Sequence, residues 1–352
     1  MKKEVLILFG GCSSEYDVSL KSASAIICNL RKDFHHFHLI GITKDGKWIY
    51  SHATPQEIAD DTWSNRIDNA RAFLSPDREQ HGIIVNQNGR MWEQHIDCVW
   101  PVLHGKNGED GTIQGLCDLA GIPCVGPGLL SSAVCMDKAT TKLLVAPTKV
   151  RQADYVLVRF HEFMMTPDKV VTYIQKQLQR FPLFVKPCAS GSSVGVSKVH
   201  SEDELIYAIQ IAGKYDNKIL VEEAITGQEI EVAVLGNYQP ITSLPGEIIA
   251  GNEFYDYNAK YENINSKTLI PANLSEMEIK VIREAAAQIY KALDCKGLSR
   301  VDFFLTEDKE IVFNEINTLP GFTSISMYPK LWEATGIGYS DLLDQILSYT
   351  MD

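Results

Sequence analysis

Two kinds of apolar pattern recur along this chain. Residues 5–9 and 98–103 are continuous apolar runs, of the kind a parallel sheet buries on both faces. Each leads into a polar turn. Gly10 and Gly11 precede a helix expected over about 18–30, and the stretch from His104 to Gly111 precedes one over 112–120 that stops at Gly121 and Pro123. Strand, tight turn and helix in that order open a doubly wound domain, with ligands expected at the C-terminal edge of its sheet, where Glu15 lies. Residues 38–42 and 47–50 flank Asp45 and Gly46 as a hairpin, and 51–95 reads as irregular polar surface.

Ser131 and Ser132 open a further helix that passes through Met136, Asp137 and Lys138 and ends before Pro147. Beyond it come strands over 155–158, 181–187 and 218–221, with helices over 167–178 and 202–212. Lys186 is the single charge in its strand. The small-residue loop from Cys188 to Gly195, with extended chain on both sides, forms a flap whose backbone N–H groups can approach a phosphate. No helix starts at its end, so it is neither a P-loop nor a dinucleotide turn. Glu222 and Glu223 close the strand that follows, and Glu229 comes just after; surface charge or contacts to a nucleoside would both suit them.

The third region has an amphipathic helix over 274–293 and then two stretches of strict alternation, 298–305 and 310–317, joined by a polar break. Pairing Leu305 with Glu310 sets Asp302 opposite Phe313 and Arg300 opposite Glu315. Arg300, Asp302, Glu315 and Asn317 then share one face, while Val301, Phe303, Leu305, Val312 and Ile316 turn to the core. Two carboxylates on one face repel and desolvate each other at a cost of roughly several kcal/mol, so something positive should sit between them. Oxygen-only ligands with no histidine or cysteine nearby favour magnesium. A solvated face with an Arg–Glu cross-strand pair is the competing reading.

Composition narrows the class. A chain of 352 residues, 45% hydrophobic and 22% charged, suits two or three globular domains, and its net charge of −12 argues against nucleic acid as the main partner. The eight cysteines are dispersed and read as reduced core residues, and no apolar run approaches a membrane span, so a cytoplasmic protein is expected. The first turn lacks the spaced third glycine of a dinucleotide fingerprint, which leaves little support for NAD.

A lysine on a strand, a Ser/Gly flap, acids after a strand and a two-carboxylate hairpin are the parts needed to hold ATP and two metal ions. In this combination the chain resembles the ATP-grasp superfamily and, within it, the D-alanine–D-alanine ligases. The resemblance covers nearly the whole chain and is carried by Gly10, Gly11, Ser14, Glu15, Val18 and Ser19; by His104, Gly105 and Gly108 to Gly111; by Met136, Asp137 and Lys138; by Lys186, Pro187 and Gly191 to Gly195; and by Arg300, Val301, Asp302, Asn314 to Thr318 and Pro320 to Thr323. Cys188 and Ala189, and the linker 146–151, depart from the family pattern without touching an expected chemical group.

The resemblance implies an α/β ATP-grasp fold of three domains: an N-terminal doubly wound parallel-sheet domain (1–137), a central lid domain (138–222) and a C-terminal domain with the metal and substrate site (223–352), the latter two clamping ATP. It implies ligation of two D-alanines through an acyl phosphate, for peptidoglycan precursors. Glu15 would receive the first ammonium and join Ser192 and Tyr261 in a network that closes the site. Lys138, Lys186 and Lys260 would hold the phosphates, helped by Ser193, and Glu222 and Glu229 the adenosine. Asp302, Glu315 and Asn317 would bind two Mg²⁺ or Mn²⁺ ions, Arg300 and the Gly321 N–H the oxyanion, and His104, Ser326 and Met327 the second substrate. A homodimer is expected. His104 to Asn107 also resembles the D-serine ligases of vancomycin-resistance clusters, and a non-catalytic nucleotide-binding protein is the more distant alternative.

Overall fold

The computed structural model describes residues 2–249 and 267–351, which form three sheets. In the first, the strand Lys3–Gly10 pairs in parallel with His35–Ile42 on one side and Cys98–Val102 on the other. Its apolar run is continuous because both faces are covered. Val5, Ile7 and Phe9 pack on the helix Tyr16–Asn29, while Leu6 and Leu8 pack with Ile113 and Cys117 of the helix Thr112–Ala120.

Beyond His35–Ile42 the pairing is no longer parallel. Trp48–Tyr50, Ala70–Leu74, Gly82–Gln87 and Arg90–His95 extend the sheet by antiparallel pairs, so much of the 51–95 stretch expected to be irregular is ordered strand. Only one face of this extension is buried, and Ala70, Ala72 and Leu74 alternate with exposed Arg71 and Phe73. The short, half-polar segments hid that period.

The second sheet is antiparallel, in the order Ser197–Val199, Leu183–Pro187, Lys218–Glu223, Tyr155–Arg159. Leu183 and Val185 face the helices Pro167–Leu178 and Glu202–Ala212, whereas Phe184 and Lys186 point the other way, with Glu222 directly opposite Phe184. The third sheet runs Lys267–Leu269, Gly246–Ile249, Gln228–Leu235, Leu298–Leu305, Ile311–Asn317, Arg151–Gln152, backed by the helix Glu276–Ala292.

The acidic hairpin differs from simple alternation by one residue. Leu305 pairs with Ile311 and Phe303 with Phe313, but beyond a bulge Asp302 pairs with Glu315 and Arg300 with Asn317. The extra residue turns Phe313 into the core, in edge-to-face contact with Phe303, and brings the polar residues of the two strands level with each other. The earlier pairings of Leu305 with Glu310, Asp302 with Phe313 and Arg300 with Glu315 are therefore corrected, and Val312, expected in the core, lines the cavity while Phe313 takes its place; the shared polar face stands.

Candidate active site

A cavity of about 1110 Å³ lies where the three sheets meet. Every described residue assigned a role from sequence lines it: Glu15, His104, Lys138, Lys186, Ser192, Ser193, Glu222, Glu229, Arg300, Asp302, Glu315, Asn317, Gly321, Ser326 and Met327. Lys260 and Tyr261 lie outside the described residues.

On the floor of the cavity, three adjacent strands place residues in cross-strand rows. Glu231, Asp302 and Glu315 form one row; Ala233, Arg300 and Asn317 form the next; Glu229, Phe304 and Val312 form an outer one. Arg300 supplies the positive charge that two neighbouring carboxylates require. Its Nε and Nη2 donate to the two oxygens of Asp302 at 2.8 and 2.7 Å, its Nε also lies 3.0 Å from Glu231 Oε2, and Asn317 Nδ2 donates to Asp302 at 2.9 Å. Burial alone would favour the neutral guanidine, but Asp302 and Glu231 outweigh it and keep Arg300 charged.

Asp302, Glu315 and Asn317 offer oxygen donors only, the chemistry of a hard divalent cation, and the residues present therefore fit one. Among the described residues no three acidic, histidine or cysteine side chains already converge on one point. Asp302 is instead held by Arg300.

Facing this floor, the second sheet contributes a buried charge cluster. Glu222 lies 2.6 Å from Lys186 and 2.7 Å from Lys142, and Lys142 also stacks 5.2 Å above the Tyr155 ring. Burial would raise the Glu222 carboxyl, but the two ammonium groups hold it down to about 2, and Glu222 in turn keeps Lys186 charged against its own burial. Lys138 starts the next helix just behind Asp137, whose side chain caps it through Thr140 N–H. The Lys138 ammonium donates to the Ser190 carbonyl at 2.9 Å and lies 4.0 Å from Glu315. Two cations thus flank the space between flap and floor.

The flap folds over the entrance. Ser192 and Ser193 take left-handed backbone angles (φ 51 and 56), a strained conformation for residues with a Cβ, and the Ser192 hydroxyl donates to Glu15 at 2.5 Å. Glu15 is positioned from the first sheet: Ser13 Oγ donates to the His104 carbonyl at 2.8 Å and accepts from the Glu15 N–H at 3.1 Å. A Cβ on Gly105 (φ +69) would come within 2.5 Å of Glu15 Oε2, so only glycine fits against that carboxylate.

His104 is a strut as well as a wall. A carbonyl can only accept, so its Nδ1–H donates to Leu319 O at 3.1 Å, and Nε2 at 3.2 Å accepts from Ser22, whose oxygen takes the Phe322 N–H at 3.2 Å. Burial lowers its pKa and favours this neutral form, with Glu15 opposing in part. The loop carrying Gly321 is thereby tied to the first sheet. Ser326, at the start of the helix Met327–Thr335, accepts the Thr323 N–H at 3.0 Å and shares a hydrogen bond of 2.8 Å with the Thr323 hydroxyl, in which either oxygen can donate, while a side chain at Gly321 would meet its Oγ at 2.9 Å. Met327 is buried, its Cε closing over Gly246 together with Leu331.

Sequence reasoning gave no role to three groups. Glu109 accepts the Gly105 N–H at 2.8 Å, and its carboxyl is pushed up to about 8 by burial and then by Glu15. Lys142 sits one helical turn after Lys138, a spacing that could have flagged it. Glu231 is an acid inside an apolar strand run, the same signal that drew attention to Lys186.

Residues 4–127 match the family model for the D-ala D-ala ligase N-terminus and residues 144–348 that for the D-ala D-ala ligase C-terminus. A D-alanine–D-alanine ligase of Clostridium acetobutylicum is 48% identical over 348 residues, covering 99% of this chain and 97% of that protein. One of Clostridium novyi is 47% identical over 355 residues, covering 100% and 99%. Among solved structures, the VanG D-Ala:D-Ser ligase of Enterococcus faecalis superposes with a TM-score of 0.91 at 40% identity, covering 99% of this chain and 100% of that one. The D-alanine–D-alanine ligase of Coxiella burnetii gives 0.87 at 35% identity, covering 100% and 94%.

Proposed function

Because this chain belongs to the D-alanine–D-alanine ligase family, we infer that its cavity joins two D-alanines at the expense of ATP, for peptidoglycan precursors. The carboxylate of the first D-alanine attacks the γ-phosphorus, releasing ADP and leaving an acyl phosphate; the amine of the second attacks the acyl carbon, and phosphate leaves. The observation that carries this reading is the floor of the cavity, where a guanidinium and three acids in one cross-strand row and its neighbour face two lysines beneath a Ser/Gly flap.

Lys138 and Lys186 hold the α- and β-phosphates, and Lys260 the γ-phosphate. Ser193 belongs to the flap that covers them, while Glu222 and Glu229 meet the adenosine. Glu222 has a second task, since its charge balances Lys186 of its own sheet and Lys142 of the helix Lys138–Val145. Asp302, Glu315 and Asn317 would hold the Mg²⁺ or Mn²⁺ ions, which neutralise phosphate charge when bound. Glu15 takes the first ammonium, and its bond to Ser192, extended to Tyr261, keeps the flap shut over a water-sensitive intermediate. Arg300 and the Gly321 N–H stabilise the tetrahedral oxyanion, at about 3 to 4 kcal/mol per donor. His104 positions the Gly321 loop, and Ser326 with Met327 receives the second substrate.

A D-serine ligase is the second reading, favoured by the likeness to VanG. Buried Met327 supports D-alanine, because a thioether offers a methyl group contact but a hydroxyl no good partner. Coupled ADP release with D-alanine alone, with D-alanine plus D-serine and with D-lactate decides between them. Turnover on D-alanine alone is expected; mixed dipeptide as the main product would favour the serine ligase, and no amino-acid-dependent ADP release would remove both.

The three-part division at 137 and 222 accords with one sheet per part, although the strand Arg151–Gln152 joins the third sheet. A cytoplasmic location follows from the need for ATP; among the described residues no helix is long and apolar enough to cross a membrane. A homodimer would show by light scattering as twice 39.3 kDa.

A further inference from the structure

We propose that Glu231 is a positioning residue, the second anchor of Arg300, which takes over the guanidinium when Asp302 turns its oxygens to a divalent cation. This rests on the reading of Asp302 as a metal ligand and Arg300 as the oxyanion partner. In the structure Asp302 has both oxygens engaged: Oδ1 by Arg300 Nε at 2.8 Å, Oδ2 by Arg300 Nη2 at 2.7 Å and by Asn317 Nδ2 at 2.9 Å. A cation that binds Asp302 competes for the same lone pairs and repels the guanidinium. Arg300 must then give up part of its hold on Asp302 without leaving the site.

The geometry supplies the alternative. Arg300 Nε carries one hydrogen, directed to Asp302 Oδ1 at 2.8 Å, and lies 3.0 Å from Glu231 Oε2 as an ion-pair contact, so a small turn of the guanidinium would pass that hydrogen from one carboxylate to the other. Glu231 is the direct cross-strand partner of Asp302, and the residue opposite Arg300 is Ala233, whose methyl group leaves room for the guanidinium to lie across both rows. The Glu231 and Arg300 side chains are only 9% and 15% exposed, so the exchange takes place where a charged hydrogen bond is strong and an unpaired charge is costly. A buried acid in the run Ile230, Glu231, Val232, Ala233 has no packing advantage over an apolar residue, and the contact with Arg300 offsets part of the cost of its burial.

The test compares full-length wild type with Glu231→Gln, Glu231→Asp and Asp302→Asn. Mn²⁺ binding in the presence of ADP is read from the free-Mn²⁺ electron paramagnetic resonance signal, alongside kcat and KM for D-alanine and ATP. With Glu231→Gln, Arg300 is left to Asp302, so Mn²⁺ affinity and kcat both fall, by about tenfold to hundredfold, the size of one charged hydrogen bond, while KM for ATP holds. Glu231→Asp keeps the charge and restores part of both losses, and it serves as the folded comparison should the glutamine variant melt early. Wild-type Mn²⁺ affinity and kcat in Glu231→Gln, while Asp302→Asn abolishes Mn²⁺ binding, overturn the proposal and leave the site reading intact. Undiminished Mn²⁺ binding in Asp302→Asn overturns both.

Discussion

Glu222, proposed to meet the adenosine, has a role in stability that can be read from its surroundings. It is buried between Lys142 and Lys186 and held down to about 2. Unfolded, the same carboxyl titrates near 4.5, so its contribution is complete above that pH and is lost as pH falls from about 4.5 towards about 2. The gap corresponds to something on the order of 3 kcal/mol. Glu222→Gln is therefore expected to unfold at lower urea concentration than wild type at pH 7 by that order, the difference narrowing as the buffer is taken below pH 4.5; a constant difference would mean that packing, not charge, is at stake. Glu315→Gln keeps volume but removes, from a partly open position, a charge proposed to hold the cation. It should retain the wild-type melting temperature and lose ligation, by a thousandfold or about that if one electrostatic contact to the reacting groups is removed; near-normal turnover would put the cation elsewhere.

At the level of elements, the hairpin Leu298–Leu305 with Ile311–Asn317 was legible from its alternation, yet the bulge was not. It goes with the packing of Phe303 on Phe313, a contact no residue count along one strand reveals. The strands of 70–95 escaped for another reason: each is short and half-polar, with its pairing to the next strand in sequence and not a long apolar run holding it in the sheet. The helix Glu276–Ala292 behind the hairpin was plain by contrast, since it carries its own start signal. Ser275 Oγ accepts the Glu278 N–H at 3.3 Å, and Glu278 returns the bond to the Ser275 N–H at 2.7 Å. Ser275→Ala should cost about 1 kcal/mol in urea denaturation with kcat and KM unchanged. A loss of activity there would show that the helix positions the floor more delicately than its distance suggests.

For the whole molecule, the important contacts join sheets that are far apart in sequence. Ser192 meets Glu15 across 177 residues, and His104 meets Leu319 across 215. Because the first and third sheets share one apolar cluster, with Phe9 and Trp100 in the same body as Phe322 and Tyr328, the Gly321 loop is braced from both sides. His104→Ala removes the polar part of that brace. It is expected to lower kcat by tenfold or about that while ADP with Mg²⁺ still raises the melting temperature, since saturation at 100 times Kd adds about 2.7 kcal/mol whatever happens at the loop; loss of the nucleotide-induced shift would mean that the brace supports the ATP site too.

Local pattern alone sufficed for the strand and helix inventory of the main elements, for the flap, for Lys186 and for the polar face of the hairpin, because periodicity and isolated charges in apolar strands are properties of contiguous chain; the other residues that line the cavity were named by the family resemblance. Tertiary packing decided the one-residue register of the hairpin, the pairing of Glu222 with Lys142 and the place of Glu231 beside Arg300. Those depend on which strand becomes the neighbour of which, and that is set by burying apolar faces drawn from the whole chain.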